Sequence, residues 1–327
     1  MSTDTDIKSF KAFTYVGLAL DPIHVGTGGS RLGRVDNTIV RDPVTRIPKI
    51  PGSSLAGVMR AYTAMAKGKY PHCAGLGQQN ADGNSGHCSQ PNCPVCTVFG
   101  FAKGRDSAGG FAGLASFSDM HVLLFPVASR IGPQWITCPM ALRQIYSTEV
   151  KLTDENAIYP KESNNINDIN LGWLLLQVKS DLPEMQNISQ KLENYGINKD
   201  IVKNLCIVSN KLFGHIVNSN LEVRTSVAIN PSTGAAEEGA LFTYEALPRG
   251  TVLTWEIICR NPKHFKINGA YITVSTPEEV KKVLDCAYTY LEHLGIGGMG
   301  TRGMGRLQVL HNQTNPENCN EQNGGEK

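Results

Sequence analysis

The chain has 327 residues, 41% of them hydrophobic, with 31 Lys plus Arg against 29 Asp plus Glu and a formal net charge of +2. That is enough apolar material for a large core, and the near-neutral balance excludes a partner held by overall charge, so any polyanion site has to come from local clustering and backbone amides. No apolar run reaches the roughly 18 residues of a bilayer span, and the opening MSTDTDIKSF lacks the apolar stretch of a signal peptide, which predicts a soluble, cytoplasmic protein with no membrane partner.

AFTYVGLAL (12–20) alternates larger and smaller side chains and predicts a strand. Repeated Gly and Pro up to Pro51 predict a loop with short extended pieces. Inside it, SRLGRVDNTIVRDP (30–43) sets one carboxylate, Asp36, among Arg31, Arg34 and Arg41. From its residues alone Asp36 reads either as a turn residue, bonded locally or paired with an arginine, or as a group placed for chemistry. His24, in DPIHVGTGG, reads as a structural histidine beside glycines or as an aid to proton transfer. In SSLAGVMRAYTAMAK (53–67), Leu55, Val58, Met59, Tyr62 and Ala66 recur at helical spacing, with Ser53 or Ser54 as the expected cap.

Residues 70–110 are rich in Gly, Asn, Cys and Asp and too long for an ordinary connection, so they predict an insertion held by something other than a core. Four of the nine cysteines lie within it, in the pattern HC (72–73), HC (87–88) and Cys93-Pro-Val-Cys96. A Cys-x-x-Cys turn lets two thiolates grip one tetrahedral ion, and in a cytosolic chain such crowding favours metal over disulfides. The expected ligands of a structural Zn2+ are Cys73, Cys88, Cys93 and Cys96, with His72 or His87 as substitutes. A redox pair or free thiols are the competing reading, and a catalytic zinc is disfavoured because the thiols suffice to close the shell.

LASFSDMHVLLFPV (114–127) predicts a second strand-rich block, and about 151–215 predicts a second, helical insertion with ESNNINDIN as a mobile loop. LEVRTSVAI (221–229) and TVLTWEII (251–258) read as strands joined by a long excursion through NPSTGAAEEGA. In TPEEVKKVLDCAYTYLEHLG the spacing predicts one strong helix, with a Thr276/Glu279 capping box, Pro277 at the first position, and Val280, Val283, Leu284, Ala287, Leu291 and Leu294 as its stripe. It runs into LGIGGMGTRGMGRL (294–307), where Gly297, Gly298, Gly300, Gly303 and Gly305 allow an amide nest for a phosphate chain and Arg302 and Arg306 add charge. No Gly-Lys-Ser/Thr follows and the loop comes after a helix, which excludes a P-loop and a dinucleotide fingerprint; a flexible turn is the plain alternative. A short strand, RLQVL, precedes a tail from 311 that is expected to be disordered. The order fits an α+β sheet covered by helices, such as a ferredoxin-like fold carrying insertions.

IHVGTGG, VDNTIVRDPVTRIPKIPGSSLAGVMR, CTVFG, GLASFSDMHVLLFPVASRIGPQWITCPMAL and GIGGMGTRGMGRL, in this order over most of residues 12–310, resemble the backbone RAMP subunits of type III CRISPR effector complexes, the Csm and Cmr families. The N-terminal piece is most similar to the Csm type, whereas FPVASRIGPQWITCP and TGAAEEGALFTYEALPRGT are similar to the Cmr type, a mixture that points to a type III-D or related variant. The resemblance implies an RRM-like palm (about 12–69, 111–150 and 216–310), a β-hairpin thumb (about 230–240) and subunits stacked head to tail along a guide RNA, with other effector subunits as partners. It implies guide-backbone contacts at Ser53, Ser54 and Gly297 through Arg306. Ala56 stands where the family commonly carries Lys, leaving Arg60 as a partial substitute. It also implies that Asp36 cleaves complementary target RNA, by holding Mg2+ or Mn2+ or by helping activate the ribose 2′-hydroxyl. A silent RNA scaffold whose Asp36 pairs with Arg34 or Arg41, and a nuclease that matures the guide precursor, are the alternatives.

Overall fold

Strand β1 (Phe10–Ala19) serves two cores, Tyr15 and Ala19 packing into one and Val16 into the other. The computed structural model describes residues 9–28, 35–75, 87–102, 109–162, 166–237 and 241–310. After β1 come β2 (Lys49–Ile50), α1 (Gly52–Ala66), α2 (Pro94–Phe99), β3 (Ala115–Phe117), β4 (Met120–Val127), β5 (Gln134–Thr137) and α3 (Pro139–Leu142). The middle of the chain supplies β6 (Tyr159–Pro160), β7 (Asp168–Leu171), β8 (Leu174–Gln177), α4 (Met185–Asn194), α5 (Lys199–Lys203), β9 (Leu205–Ile207) and α6 (Asn210–Ser219). The last third holds β10 (Glu222–Ser226), β11 (Phe242–Ala246), β12 (Val252–Arg260), β13 (Lys266–Ile267), β14 (Ala270–Tyr271), α7 (Pro277–Asp285), α8 (Tyr288–Leu294) and β15 (Leu307–Leu310).

The main sheet runs β15-β1-β12-β4-β5-β9-β6, with β2 added on β4 and β3 on β12; every pairing is antiparallel except β5 with β9. Its central strand β4 reads MHVLLFPV and is buried almost throughout, as a strand covered on both faces must be. Met120, Val122, Phe125 and Val127 join the larger core with α1, α2 and α7, while Leu123 and Leu124 join a second core with Val16, Ile188, Leu192 and Ile207. The result is the mixed α+β architecture expected from the element order. No helix among the described residues is long and apolar enough to cross a membrane.

Four expectations change. Residues 151–215 are more than a helical insertion: β6 and β9 are strands of the main sheet, and α4 and α5 close the second core. Strands of two or three residues fall below what periodicity detects. Within ESNNINDIN, Asp168 opens β7, which pairs with β8, and 163–165 lie outside the described residues. The strand β11 was not foreseen, and it, not the 251–258 strand, pairs with β10 in a separate hairpin; β12 pairs with β1, β3 and β4 instead. The helix after Ser275 is two helices, α7 and α8, because Ala287 N donates to Leu284 O, a tighter turn that breaks the regular ladder. Val280, Leu284, Ala287 and Leu291 are buried as expected, but Leu294 is exposed. The tail from 311 lies outside the described residues.

Candidate nucleic-acid interface and metal centre

Strand β11 bonds β10 along one edge and four residues of the Asp36 segment along the other. Asn37 N donates to Thr243 O at 3.0 Å and Glu245 N to Asn37 O at 3.0 Å, a parallel bridge centred on Asn37 and Tyr244. On its far side the same segment bonds residues 25–27, through Val40 N to Val25 O at 2.9 Å and Thr27 N to Thr38 O at 3.1 Å. The stretch read from its Gly and Pro content as a loop is therefore held extended between two neighbours. Arg31 and Arg34 lie outside the described residues.

Asp36 is exposed, yet its carboxylate is fixed. Its Oδ2 accepts from Thr243 N at 2.7 Å and from Thr243 Oγ1 at 2.9 Å, and Asp36 N donates to the same hydroxyl at 3.1 Å. The Thr243 N–H, then its hydroxyl, hold the Asp36 carboxyl below its usual range. Such a group is ionised at neutral pH, a poor proton acceptor and a good ligand for a cation. Arg41 does not pair with it. The Arg41 guanidinium donates to Glu245 Oε2 at 2.8 Å, Asn218 Oδ1 at 3.0 Å and Ile39 O at 3.0 Å, with side-chain exposures of 16% for Arg41 and 14% for Glu245.

His24 is a pin in this crossing. It is buried, its Nδ1 lies 2.6 Å from Glu245 O and therefore carries the proton, and its ring meets Tyr244 edge-on. Its carbonyl accepts from Gly298 N at 2.8 Å. A Cβ on Gly297, which has φ +92°, would stand 2.3 Å from that carbonyl, so only glycine lets the loop close here. The glycine-rich loop is thus shaped by its own fold: Gly305 N donates to Pro22 O, Ile296 N to Gly305 O and Gly303 N to Gly300 O. The amides of Gly298, Gly303 and Gly305 are consequently bonded to carbonyls rather than gathered in an open nest. Arg302 lies over the Phe242 ring, 5.7 Å from its centroid, and Arg306 forks onto both oxygens of Asp21. Gly300 opens the short 3-10 turn that carries Arg302.

At the start of α1 neither serine is the cap. Asp119 Oδ1 accepts from Gly52 N at 2.8 Å and its Oδ2 from Lys49 Nζ at 2.6 Å, so a carboxylate 67 residues away meets the positive end of the helix. Gly52 is required there, since a Cβ would lie 2.6 Å from Phe117 O. Ser53 is exposed and Ser54 half-buried, and neither makes a capping bond. Arg60 faces the other way: its Nε donates to Cys73 O and its Nη2 to His87 Nδ1, both at 2.8 Å. Its fork is engaged by the cysteine region.

The four cysteines Cys73, Cys88, Cys93 and Cys96 place their sulfurs within 4.8 Å of one another. Cys88 and Cys96 are 3.8 Å apart and Cys73 and Cys93 3.9 Å. A tetrahedron of sulfurs about 2.3 Å from a zinc ion has edges of about 3.8 Å, so the donor set fits a structural Zn2+. Hydrogen bonds among the four thiols push Cys88 down and Cys93 and Cys96 up, as in a group that shares its protons. Cys93 also caps α2, its Sγ accepting from Cys96 N, with Pro94 at the first helical position. His87 stands outside this converging set; its Nδ1 accepts from the Arg60 guanidinium, and burial followed by the Arg60 charge hold it toward the neutral form. His72 is exposed. The cluster is less isolated than its composition implies: Cys73, Val95, Cys96, Val98 and Phe101 are part of the larger core.

Thr243, Glu245 and Asp119 escaped the sequence reading. FTYEA carries a readable strand signal, since Tyr244 and Ala246 alternate with more exposed neighbours, but nothing local marks Thr243 or Asp119 as partners of residues more than 60 positions away.

The sequence pattern of the RAMP superfamily matches residues 18–308. The chain is 27% identical over 296 residues to the CRISPR system Cmr endoribonuclease Cmr4 of Pyrococcus furiosus, covering 82% of this chain and 92% of the relative. Over 96 residues, 29% of this chain and 31% of the relative, it is 36% identical to the CRISPR system Cms endoribonuclease Csm3 of Methanothermobacter thermautotrophicus. Its fold is that of a chain in the type III-B Cmr-beta complex bound to cognate target RNA, with a TM-score of 0.62 at 16% identity over 92% of this chain and 98% of that one. The crystal structure of Cmr4 superposes with a TM-score of 0.57 at 19% identity, over 91% and 98% of the two chains.

Proposed function

The chain belongs to the RAMP superfamily, and from that premise we propose that it is a Cmr4/Csm3-like backbone subunit of a type III CRISPR ribonucleoprotein, which binds guide RNA and cleaves complementary target RNA at Asp36. The observation that carries the reading is the meeting of Asp36, the glycine-rich loop and the β10–β11 hairpin on one strand: Asp36 bonds Thr243, Arg302 covers Phe242, and His24 ties Glu245 to Gly298. A residue that cuts, a loop that approaches a backbone and a hairpin that distorts it have to share one frame, because cleavage by positioning needs the phosphate and the carboxylate held together.

The finer assignments follow from this arrangement. The palm is the main sheet with α1, α7 and α8, and the thumb is the hairpin's far end, where Gly234 N donates to Asn230 O and Val227, Ile229 and Leu241 are exposed. Apolar side chains there suit insertion between stacked bases. Residues 238–240 of the expected tip lie outside the described residues. Ser53 and Ser54 at the start of α1 and Arg302 beside the glycine-rich loop carry the guide-backbone contacts, with Gly297, Gly298, Gly300, Gly303 and Gly305 permitting close approach and Arg306 contributing only after release from Asp21. Zn2+ on the four cysteines is structural. Further copies of this chain and other effector subunits complete the assembly.

Asp36 acts as an ionised ligand. Its Oδ1, turned away from the Thr243 clamp, together with RNA phosphate oxygens, would hold Mg2+ or Mn2+, which when bound supplies charge neutralisation at the scissile phosphate. Attack by the adjacent ribose 2′-hydroxyl leaves a cyclic phosphate and a 5′-hydroxyl end. The depressed Asp36 carboxyl favours this role over taking the 2′-hydroxyl proton itself.

A second reading, a silent scaffold, is favoured by the same three bonds to Thr243, since a carboxylate that ties its segment to β11 needs no chemistry. Asp36→Asn in the assembled complex separates them. Loss of cutting at the corresponding position of a complementary RNA, with target binding retained, is the expected result; unchanged cutting would establish the scaffold.

A further inference from the structure

The Asp36 carboxylate does not orient itself. Every polar group of Thr243 is directed at residues 36 and 37: its N–H and hydroxyl donate to Asp36 Oδ2, its hydroxyl oxygen accepts from Asp36 N, and its carbonyl accepts from Asn37 N. The register of the hairpin makes this possible. Thr243 stands opposite Thr225, and alternate residues of an antiparallel pair point their N–H and C=O away from the partner strand. Thr243 and Glu245 are the outward-bonding residues of β11, and both reach the 36–37 segment.

We propose that Thr243 is the positioning residue for Asp36, clamping Oδ2 with two donors so that Oδ1 is presented to the cation and the target phosphate. The inference rests on Asp36 being the cleavage residue. Two donors from one residue onto one oxygen fix both the position of the carboxyl group and its rotation, whereas the N–H alone would leave the plane of the carboxylate free to turn. The hydroxyl closes a ring by bonding Asp36 N as well, so loss of that single oxygen removes two of the three contacts. Because β11 continues through the hairpin, the clamp also ties the aim of Oδ1 to the element that bends the target. A hairpin displaced by bound RNA carries Thr243, and with it the carboxylate.

The test uses the assembled ribonucleoprotein with Asp36→Asn, Thr243→Val and Thr243→Ser, measuring cleavage of complementary RNA against Mg2+ concentration alongside target-RNA affinity. Valine keeps the branched shape and the backbone donor and lacks only the hydroxyl. The expected result is no cleavage for Asp36→Asn; for Thr243→Val, a rate lower by about tenfold or more, as small misplacements of reacting groups produce, with half-saturation moved to higher Mg2+ and target affinity unchanged; and for Thr243→Ser, restoration of both rate and Mg2+ dependence. If Asp36→Asn is silent while Thr243→Val cuts with wild-type Mg2+ dependence, the positioning role is overturned and Asp36 stands. If Asp36→Asn cuts normally, the cleavage assignment itself has failed and the inference goes with it. A Thr243→Val complex that loses target affinity in proportion to rate, or a serine variant that fails to rescue, also overturns it. Should the valine variant not assemble, Thr243→Ala enters the same comparison, since it too keeps the N–H and lacks the hydroxyl.

Discussion

The cysteine centre and the β11 crossing are held together in opposite ways. Cys73, Cys88, Cys93 and Cys96 come from one short stretch of chain and converge on a point that four sulfurs surround. The β11 crossing gathers residues 22–27, 36–41, 242–247 and 296–305 through backbone bonds, one half-buried ion pair and a histidine, and no single contact dominates. Affinity for one ion would concentrate stability in the first; the second distributes it over many modest bonds. The difference implies that the cysteine centre fails abruptly and the crossing fails by degrees.

Three substitutions sharpen or break this contrast. The largest effect is expected for Cys93→Ser, which replaces one of the four clustered thiols while keeping a side chain able to cap α2. Elemental analysis should give about one zinc per wild-type chain under a closed four-sulfur site, and the variant should lose it together with most of its thermal stability, because the free energy of metal binding is also folding free energy. A variant that keeps its melting temperature would erase the distinction. Arg41→Ala comes next. It leaves the half-buried Glu245 without its cation, at a cost between about 1 kcal/mol for an exposed pair and about 3–5 kcal/mol for a buried one; denaturant unfolding measures it, and a change below about 1 kcal/mol would place the pair among exposed salt bridges. The smallest is Asp119→Asn, about 1 kcal/mol for a helix cap, read as a small fall in unfolding midpoint. Here the sign with pH is fixed: burial pushes the Asp119 carboxyl up, but Lys49 and the Gly52 N–H outweigh it and the net direction is down. The cap therefore stabilises at and above the usual carboxylate range and is lost as pH falls through the lowered value, so wild type and variant should converge in acid.

Much of the fold was readable because its signals are local. Apolar stripes located α1 and the α7–α8 region, alternation located β1, and the continuous apolar run of β4 matched a strand covered on both faces. Thr276 and Glu279 were legible as an N-terminal pair, although the Glu279 carboxylate bonds Ser275 rather than Thr276. What was lost had short-range ambiguity: β9 has three residues, and only its parallel pairing with β5 makes it part of the sheet. The same division runs through the site. The four-cysteine cluster was legible from Cys-x-x-Cys spacing, whereas Asp36 stood out among loop acids only through resemblance, and Thr243 not at all. The spacing of Arg60 on α1 says which face it occupies and not that Cys73 O and His87 lie beside that face.

The amino-acid order by itself determined the chemistry available: four thiols close enough along the chain to meet, glycines that permit a tight loop, and an acid in a stretch of polar residues. Tertiary structure decided what that chemistry faces, since whether Asp36 meets Arg41 or Thr243, and whether α1 is capped by a neighbouring serine or by Asp119, depends on which strands pair. Spacing governs contacts within a turn or two of chain, while contacts between distant residues are settled by the burial of apolar faces on both sides of one sheet, a collective choice that no short segment encodes.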